Sequence, residues 1–378
     1  MYRNDNRIVA TLDAGGTNLV FSAMRGYENI IEPITLPSRA HDLDECLAQM
    51  VAGFTRVLDS LEEKPVAISF AFPGPADYPN GIIGGYLPNF PSFRDGVALG
   101  AFLEEKFSLP VFINNDGDLF AYGEAVSGAL HDVNERIAAL GGKKRYRNLV
   151  GFTFGTGLGI GTVINGQLNL GDNSCVETWI LRSKLHPDLF AEEECSIRAI
   201  VREYNRLSGA LSCRDGEPGP DPTLTPYDIF RIAEGTKPGN AEAARQAFAL
   251  MGEVAGDVFA TAAVLFDAII VVGGGPTGAM KYIRPALLKE MRSDLHTFSG
   301  EAVKRVPMEV FNLDDEEEFA RFALGSAREL KVPGSDRTVI YDPMKRTGLT
   351  VSRLGASQAI SIGAYSYALS RIDNVNDK

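Results

Sequence analysis

Short apolar runs of the kind that form buried strands recur along this chain, and segments with a helical period separate them. Such runs cover residues 8–12, 66–71, 149–154 and 268–272. Between the first two runs, residues 42–61 carry apolar side chains about every 3.6 positions, which predicts a helix with Asp42 as its N-cap. Strands that alternate with helices in both halves of a chain predict an α/β architecture, with helices covering the sheets.

The same patterns predict further elements. Strands are expected at residues 19–24, 30–36, 111–113 and 160–164, with a hairpin turn at Asn165-Gly166 after the last of them. Helices are expected at residues 98–107, 116–128, 196–207, 241–265 and 276–291. Residues 131–147 are polar and irregular, which predicts an exposed excursion near a domain boundary, and the acidic run at residues 314–318 predicts a solvated face.

Length and charge narrow the class of protein. The chain has 378 residues, which suggests two domains at roughly 100–200 residues each. Its net charge of −12 argues against a general nucleic-acid-binding surface, and the strand-like run that starts at Arg7 leaves no room in front of it for a helix-turn-helix module. The first residues carry no apolar signal segment, and no uncharged apolar span reaches about 18 residues. We therefore expect a cytoplasmic protein that binds neither nucleic acid nor membrane.

A strand that ends in an aspartate and a glycine turn forms the first candidate site. Asp13 follows the run at residues 8–12, and Gly15, Gly16 and Thr17 come next. Successive backbone N–H groups in such a turn suit phosphate oxygens, and the aspartate can hold magnesium directly or through water. A plain β-hairpin, in which the glycines serve only the turn geometry, explains the same residues.

Two more glycine turns follow strands later in the chain. Gly155, Thr156 and Gly157 begin a run of alternating glycines, which lacks the lysine of a Walker A loop and precedes a hairpin instead of a dinucleotide-binding helix. A bend or bulge in a sheet explains this run equally well. Gly274 and Gly275 lie between a strand and a helix, where a flat ring or a ribose can approach the backbone closely.

Asn115 and Asp116 come directly after a short apolar strand and directly before a predicted helix. A carboxylate at this point faces the edge of the sheet where α/β proteins bind ligands. Such a carboxylate can accept a proton from a sugar hydroxyl. Helix capping by Asn115 or Asp118 is the alternative explanation.

Taken together, these stretches resemble the ROK family of repressors and sugar kinases over residues 8–369. The resemblance extends to residues 69–75, 87–91 and 354–364, in the family's order and spacing. It implies a two-lobed, actin-like ATPase fold (ribonuclease H-like) with a cleft between the lobes. Residues 1–128 would form an N-terminal α/β lobe, with a C-terminal helix at about 356–371 packing back on it, and residues 129–355 a larger C-terminal α/β lobe.

The resemblance also implies roles for the candidate residues. Asp116 would be the general base, and it would share the sugar site with Asn89, Asn115, Glu177 and Glu194. ATP would lie on two phosphate loops and one adenosine turn, which comprise Asp13, Gly15, Gly16 and Thr17, then Gly155, Thr156 and Gly157, then Gly274 and Gly275. Magnesium would be held at Asp13, directly or through water.

The sequence departs from the ROK kinases around their Glu-x-Gly-His segment. Glu177 keeps the glutamate, whereas Trp179 and Ile180 replace the glycine and the histidine. Trp179 either packs in the core or stacks on the apolar face of a sugar. Glu194 is the best match to a second sugar-binding glutamate, followed by Glu193.

The cysteine cluster that holds structural zinc in these kinases is also missing. The four cysteines are scattered and suggest reduced thiols, and they comprise Cys46, Cys175, Cys195 and Cys213. The lone His186 is expected to lie at the surface. We therefore predict that the protein binds no zinc, which elemental analysis can check.

The predicted function is glucokinase-like, ATP-dependent phosphorylation of a hexose or amino-hexose hydroxyl, with O6 as the expected acceptor and Asp116 as base. ATP and Mg²⁺ are the cofactors that this implies, and a homodimer is the assembly that the family suggests. One alternative is a sugar-responsive regulator that binds its ligand without turnover. Another is an actin-like ATPase switch that needs no sugar. Glucose, fructose, allose and N-acetylated hexosamines are all candidate ligands.

Overall fold

The computed structural model describes residues 2–209 and 223–376, so Cys213 lies outside the described residues. Its internal contacts divide the chain into two compact units. Unit 1 comprises Met1–His131, Ile160–Thr178 and Arg353–Lys378, and unit 2 comprises Asp132–Gly159 and Trp179–Ser352. Residues 160–178, which the sequence assigned to the second lobe, thus belong to unit 1. Labels below follow chain order through both units.

Unit 1 is built on one mixed sheet. Its strands are β1 (Val9–Ala14), β2 (Asn18–Arg25), β3 (Glu28–Asn29), β4 (Ile34–Pro37), β5 (Ala67–Ala71) and β8 (Val111–Asn114). Their order is β3-β2-β1-β5-β8, and β4 pairs with β2. Strand β2 is antiparallel to β1, whereas β1, β5 and β8 are parallel to one another. The carboxyl ends of these three parallel strands therefore lie at the same edge of the sheet.

Helices cover both faces of this sheet. They are α1 (Leu43–Asp59), α2 (Leu99–Phe107), α3 (Asp116–Val126) and α10 (Ala356–Asn376). Helix α1 begins as predicted, because the Asp42 side chain accepts a hydrogen bond from the Glu45 N–H at 2.9 Å. On its face of the sheet, the Phe21 and Phe54 rings meet edge to face at 5.1 Å. On the other face, α10 packs Ile362 and Tyr365 against the sheet.

Shorter elements complete unit 1. They are β6 (Ala76–Asp77), which pairs with β7 (Ile82–Ile83), and β11 (Gln167–Leu168), which pairs with β10 (Leu158–Ile164). The first two residues of β10 belong to unit 2 and the rest of the strand to unit 1. Asn165 and Gly166 form the β10–β11 turn with positive φ, as predicted from the Asn-Gly pair. The expected irregular excursion at residues 131–147 is wrong in its first part, because α4 (Ala129–Ala139) is helical. Val133 and Ile137 of α4 are buried, so a short amphipathic period was overlooked there.

Unit 2 has a parallel sheet at its centre. Strands β9 (Leu149–Phe154), β12 (Ile269–Gly273), β18 (Arg346–Val351) and β15 (Glu309–Asn312) lie in that order. Phe152 stacks on Phe259 at 4.1 Å, and Trp179 meets Phe152 edge to face at 5.8 Å. Trp179 also stacks on Phe266 at 5.7 Å and is half-buried, so it packs against aromatic side chains of unit 2 while part of it stays exposed.

The helices of unit 2 are α5 (Ile197–Leu207), α6 (Pro226–Ala233), α7 (Ala241–Phe266), α8 (Met280–Met291) and α9 (Glu316–Leu324). Among the residues that the structure describes, α7 is the helix long and apolar enough to cross a membrane by length and composition, and 61% of its apolar window is buried. It packs on α8 and α5. Its apolar side chains are therefore accounted for by the core of unit 2.

The acidic run at residues 314–318 begins α9 and is only partly the solvated face that the sequence predicted. Asp315 caps the helix by accepting the Glu318 N–H at 2.9 Å. Asp314 pairs with Arg284, and Glu318 pairs with Arg292. Two exposed hairpins complete unit 2, namely β13 (Asp294–His296) with β14 (Ala302–Lys304), and β16 (Arg328–Lys331) with β17 (Thr338–Tyr341).

Candidate functional site

The carboxyl ends of β1, β5 and β8 carry most of the polar residues that the sequence singled out in unit 1. Asp13 stands opposite Ala71 in the β1–β5 register, and Ala71 stands opposite Asn114 in the β5–β8 register. Asn115 and Asp116 follow directly after Asn114. Strand pairing thus brings residues that are about 100 positions apart in the chain to one edge of one sheet.

Backbone hydrogen bonds hold the first glycine turn in place. The Gly15 N–H donates to the Asn18 carbonyl at 2.9 Å, and the Ser38 N–H donates to the Thr17 carbonyl at 2.9 Å. Within residues 2–209 and 223–376, the N–H groups of Gly16 and Thr17 have no hydrogen-bond partner. This turn therefore keeps two backbone donors for an anion, as the phosphate-loop prediction requires.

Asn89 lies against this turn. A Cβ added to Gly16 would lie 3.0 Å from the Asn89 Cβ, which is tighter than nearly all real contacts. Glycine at position 16 thus lets the segment that carries Asn89 approach the backbone of the turn. The Asn89 side chain is exposed and free to meet a ligand there.

Asn115 is held in place from two sides. Its Oδ1 accepts the Gly117 N–H at 2.7 Å, so it caps α3 as the alternative explanation proposed. Its Nδ2 donates to the Tyr78 hydroxyl at 3.3 Å. That hydroxyl in turn donates to the Phe72 carbonyl at 3.0 Å. Tyr78 is a residue that sequence reasoning missed, because no spacing rule connects residue 78 to residue 115.

Asp116 presents a solvent-accessible carboxylate at the first position of α3. Although water reaches it, the surrounding protein desolvates this carboxyl and raises its pKa, and the charge of Asp13 raises that pKa further. The Gly117 N–H donates to its Oδ1 at 2.9 Å and opposes the rise. A carboxylate with a raised pKa is a stronger base once it is ionised.

Glu177 reaches the same edge of the sheet from the segment that follows β11. A Cβ on Gly74 would lie 2.7 Å from the Glu177 Oε1 and 2.8 Å from the Tyr78 hydroxyl, so glycine at position 74 makes room for both groups. Desolvation, and then the nearby Asp116, raise the pKa of the Glu177 carboxyl to about 7. The charge of Asp116 therefore acts on the Glu177 carboxyl.

Asp118 differs from Asp116 although it lies only one residue beyond Gly117. Its side chain is 1% exposed, and its Oδ1 has no hydrogen-bond partner within the described part of the chain. Desolvation, followed by the charges of Glu177 and Asp116, raises the pKa of this carboxyl well above its usual value. Burial thus favours the neutral form of the Asp118 carboxyl, and the cap of α3 is Asn115 and not Asp118, which the sequence offered as an alternative.

The second glycine turn lies in unit 2, between β9 and β10. The Gly155 N–H donates to the Gly157 carbonyl at 3.0 Å, and the Ile197 N–H donates to the Gly155 carbonyl at 2.9 Å. The Leu158 N–H donates to the Glu192 Oε2 at 3.0 Å. Glu192 was not among the predicted site residues, although the neighbouring Glu193 and Glu194 were considered. The N–H groups of Thr156 and Gly157 have no partner in the described ranges.

Glu194 lies in unit 2, whereas Asn89, Asn115, Asp116 and Glu177 belong to unit 1. It is 5% exposed, and its two oxygens face the Ser183 hydroxyl and the His186 ring. The His186 Nδ1 lies 2.5 Å from the Glu194 Oε1, while most of the histidine side chain stays exposed, as expected for a surface histidine. Within unit 2, these contacts fix the position of the Glu194 carboxyl group.

The third glycine turn borders an apolar cavity of about 450 Å³ in unit 2. Gly274 has a φ of 94° and comes close to the Phe154 backbone, so it allows the turn that leads to Gly275. Gly275 lines the cavity together with Ile197, Thr225, Pro226, Tyr227, Phe230 and Phe248. An apolar cavity beside a glycine turn suits a flat ring.

Helix α6, which forms one side of this cavity, is not among the helices predicted from the sequence. The Thr225 hydroxyl accepts the Asp228 N–H at 3.1 Å, and the Asp228 carboxylate accepts the Thr225 N–H at 3.0 Å. This capping box, with Pro226 as the first helical residue, was the signal that would have found the helix.

No group of three or more potential metal ligands among His, Cys, Asp and Glu occurs within residues 2–209 and 223–376. This observation does not bear on magnesium, because Mg²⁺ is commonly held by only one or two carboxylates together with substrate phosphates. Asp13, beside the free N–H groups of the first turn, fits that pattern.

Comparisons with known proteins agree with this geometry. The model of the ROK family matches residues 9–178. A glucokinase from Parabacteroides distasonis, known from its crystal structure, is 54% identical, with a TM-score of 0.88, over 98% of this chain and 99% of its own. The chain belongs to the ROK family. The family and the two-unit α/β fold predicted from the sequence are thereby confirmed.

Other relatives of this ROK protein match over a smaller part of the chain or at lower sequence identity. The xylose repressor of Bacillus spizizenii is 35% identical over 127 residues, which are 34% of this chain and 29% of the repressor. The matched segments span between 29% and 49% of the curated relatives, which also include a glucokinase and a fructokinase. A glucokinase from Streptomyces griseus, solved with glucose and AMPPNP, shares 19% identity and a TM-score of 0.57 over 95% of this chain and 97% of its own, which shows the fold alone.

Proposed function

We propose that this ROK-family protein is an ATP-dependent sugar kinase in which Asp116 accepts the proton of the attacking hydroxyl. The observation that carries the proposal is the group formed by Asn115, Asp116, Glu177 and Tyr78 at one edge of the unit 1 sheet. The full-length likeness to a glucokinase supports the same conclusion. A sugar presents several hydroxyls at fixed angles, and such a set of fixed polar groups can recognise them.

The acceptor sugar is held by fixed polar groups in this proposal. Asn115 is oriented by Gly117 and Tyr78, so its amide meets a hydroxyl without reorganisation. Glu177, when ionised, accepts hydrogen bonds from sugar hydroxyls, and Asn89 lines the same site beside Gly16. Glu194 of unit 2 remains a proposed sugar-binding residue, and its oxygens contact Ser183 and His186.

The chemical step is a transfer of the γ-phosphoryl group of ATP. The sugar oxygen forms a bond to the γ-phosphorus while the bond from that phosphorus to the β–γ bridging oxygen breaks. The hydroxyl proton passes to the Asp116 carboxylate, and the products are ADP and a sugar phosphate. Such general-base help is typically worth about 10²–10⁴ in rate.

ATP is bound through backbone donors and an apolar surface in this proposal. The free N–H groups of Gly16 and Thr17 in unit 1, and of Thr156 and Gly157 in unit 2, suit phosphate oxygens. The adenine ring fits the cavity beside Gly275, where Phe230 and Tyr227 offer aromatic faces. Magnesium, held at Asp13 directly or through water, would offset negative charge on the triphosphate.

Glucose is the first acceptor to test, with its O6 hydroxyl as the expected nucleophile. The support is that the relative matched over its whole length is a glucokinase. Release of ADP should be measured with glucose, fructose, allose and N-acetylated hexosamines, with and without Mg²⁺. We expect turnover that depends on one of these sugars. Equal ADP release with and without every sugar would instead indicate an ATPase switch.

A second candidate function is a sugar-responsive regulator without turnover, which the likeness to a xylose repressor favours. In that case a sugar, including xylose, would raise the melting temperature of the protein while no sugar supported ADP release. Detection of a sugar phosphate in the same samples would exclude this alternative.

A further inference from the structure

A second cavity of unit 2 lies beside strand β15 and has a volume of about 460 Å³. Strand β15 ends the central sheet, because β18 is its only strand partner within the described residues. The end of α8, strand β14 and helix α9 form the other walls of the cavity. Ligand-binding cavities typically have volumes of about 300–1,000 Å³, so this one is large enough for a small metabolite.

Side chains cover the edge of β15 that no strand pairs with. The Arg292 Nε donates to the Val310 carbonyl at 3.0 Å, and the Glu318 Oε2 accepts the Asn312 N–H at 2.7 Å. Arg292 and Glu318 also form an ion pair with each other at 2.5 Å. These contacts protect the edge against pairing with another strand and fix one side of the cavity. The cavity therefore suits a small molecule better than an extended peptide.

Two cationic groups that line the cavity are accessible to a ligand. Lys304, at the end of β14, is exposed and has no hydrogen-bond or ion-pair partner in residues 2–209 and 223–376. Arg321 pairs with Glu309 at 2.6 Å, but 64% of its side chain is exposed, so this ion pair is weak and can be exchanged for another. The whole chain has a net charge of −12, which makes these cations a local exception. An ammonium and a guanidinium group together suit a phosphate.

Two carboxylates line the same cavity, and each keeps a free acceptor oxygen. The Glu309 Oε1 accepts a hydrogen bond from Arg321, and the Glu318 Oε2 accepts one from Arg292. The other oxygens of these two carboxylates have no hydrogen-bond partner in the described part of the chain. Carboxylate oxygens accept hydrogen bonds from hydroxyl groups. The cavity thus offers acceptors for hydroxyls as well as donors for a phosphate.

We propose that this cavity binds a sugar phosphate, whose phosphate group lies on Lys304 and Arg321 and whose hydroxyls donate to Glu309 and Glu318. Inorganic phosphate alone would leave both carboxylates without a donor. A nucleotide base would find no aromatic face, because Phe311 is buried and the Arg321 guanidinium lies over its ring at 5.4 Å. A ligand that carries both a phosphate and several hydroxyls uses all four charged groups.

Helix α8 separates this cavity from the one beside Gly275. Ala279, directly before the helix, lines the cavity beside Gly275, whereas Met291, the last residue of the helix, lines the cavity beside β15. The 12 residues of α8 span about 18 Å at the rise of an α-helix. A ligand in one cavity therefore does not compete with a ligand in the other, and the inference does not depend on the proposed kinase activity.

The test is isothermal titration calorimetry with glucose 6-phosphate and fructose 6-phosphate as probes. Lys304→Met removes the unpaired charge at nearly constant side-chain length, and it should weaken the binding of at least one probe to this cavity by about tenfold or more. Arg321→Met should act in the same direction. Any binding of a probe at the proposed sugar site of unit 1 should persist in both variants. Failure of the proposed function would therefore remove only the binding that does not depend on Lys304.

Lys331→Met is the matched control, because Lys331 is an exposed lysine at the end of β16, in the other hairpin of unit 2. It should bind both probes as the wild type does, and all variants should keep the melting temperature of the wild type. Binding of neither probe, or equal binding of both by the wild type and Lys304→Met, overturns the proposal. Inorganic phosphate that binds as tightly as the sugar phosphates overturns the assignment to a sugar phosphate. Equal weakening by Lys331→Met overturns the assignment to this cavity.

Discussion

The Asn115 amide donates to the Tyr78 hydroxyl across 3.3 Å, and that hydroxyl donates to the Phe72 carbonyl at 3.0 Å. Tyr78 is 3% exposed and stands 37 positions from Asn115 in the chain. The Tyr78 hydroxyl therefore links Phe72, which follows β5, to Asn115, which precedes the proposed base Asp116. Removal of the Tyr78 hydroxyl should weaken sugar binding more than it slows phosphoryl transfer.

Tyr78→Phe keeps the ring but removes the hydroxyl. Asn115 loses one of its two fixed partners, and the Phe72 carbonyl loses a donor, at a cost of about 1–3 kcal/mol in the free energy of unfolding. We expect the KM for the sugar to rise by about threefold to tenfold with a smaller change in kcat, as measured by steady-state kinetics.

Tyr122→Phe is the control for this change, because Tyr122 is buried to the same degree in the same unit, at 4% exposure, but lies outside the proposed site. Its sugar KM should equal that of the wild type. An unchanged KM in Tyr78→Phe, or an equal rise in both variants, would contradict a positioning role for Tyr78.

Asp116 and Asp118 allow the same substitution to be compared two residues apart. Asp116→Asn removes the proposed base and should lower kcat by about 10²–10⁴ while the protein stays folded. Asp118→Asn should keep kcat within a few-fold, because asparagine has nearly the same shape and burial, which raises the pKa of Asp118, favours a neutral side chain at this position. Near-normal turnover by Asp116→Asn, checked together with its melting temperature, would rule out the assigned base.

Glu177 should make the stability of the protein depend on pH. Its pKa is raised from 4.5 to about 7, so the folded state binds more protons than the unfolded state between these values. Proton binding by Glu177 therefore adds its full stabilisation to the folded state below about pH 4.5, and this stabilisation is lost as the pH rises through about 7.

Glu177→Gln removes this dependence. The free energy of unfolding of the variant minus that of the wild type is the quantity to compare. This difference should be about 1–3 kcal/mol larger at about pH 8 than at about pH 4.5. Urea unfolding at the two pH values measures the difference. Parallel pH dependence of both proteins would mean that the carboxyl at position 177 is not the group that titrates.

Patterns local in the chain were sufficient to predict much of the fold. The α1 helix with its Asp42 cap and the Asn165-Gly166 turn depend on neighbouring residues, and both occur as predicted. The alternation of strands with helices is likewise visible in short stretches of sequence, and it also occurs. The α4 helix was missed because its apolar face is short and its sequence polar. Local propensity is weak there, and tertiary packing of Val133 and Ile137 decides the structure.

The candidate site was less predictable, because its partners come from distant segments. Nothing near Asn115 in the sequence points to Tyr78, and nothing near Asp116 distinguishes its exposed carboxylate from the buried one of Asp118. Glu192 and Glu194 are nearly adjacent, yet one bonds to the Leu158 N–H and the other to Ser183 and His186. The different partners of Glu192 and Glu194 depend on the three-dimensional course of the backbone, which the local sequence does not reveal.

Phe230 tests the proposed adenine site. Phe230→Ala removes an aromatic face from the cavity beside Gly275 and should raise the KM for ATP by about threefold to tenfold. The KM for the sugar should stay the same, which separates this effect from a general loss of structure. Phe298→Ala, a fully exposed phenylalanine of the same unit, is the control and should change neither constant.

Gly155 and Gly157 test the second phosphate loop from within. A Cβ on Gly157 would lie 2.7 Å from the Glu192 Oε2, so Gly157→Ala must displace that carboxylate from the Leu158 N–H. A Cβ on Gly155 would meet nothing nearer than the Gly157 carbonyl oxygen at 3.9 Å. We therefore expect Gly157→Ala to raise the KM for ATP by about fivefold to tenfold, whereas Gly155→Ala changes it little. Because neither glycine has a positive φ, backbone strain does not distinguish them, and the contact with Glu192 does. Equal effects of the two substitutions in ATP-dependent kinetics would show that this contact does not shape the loop.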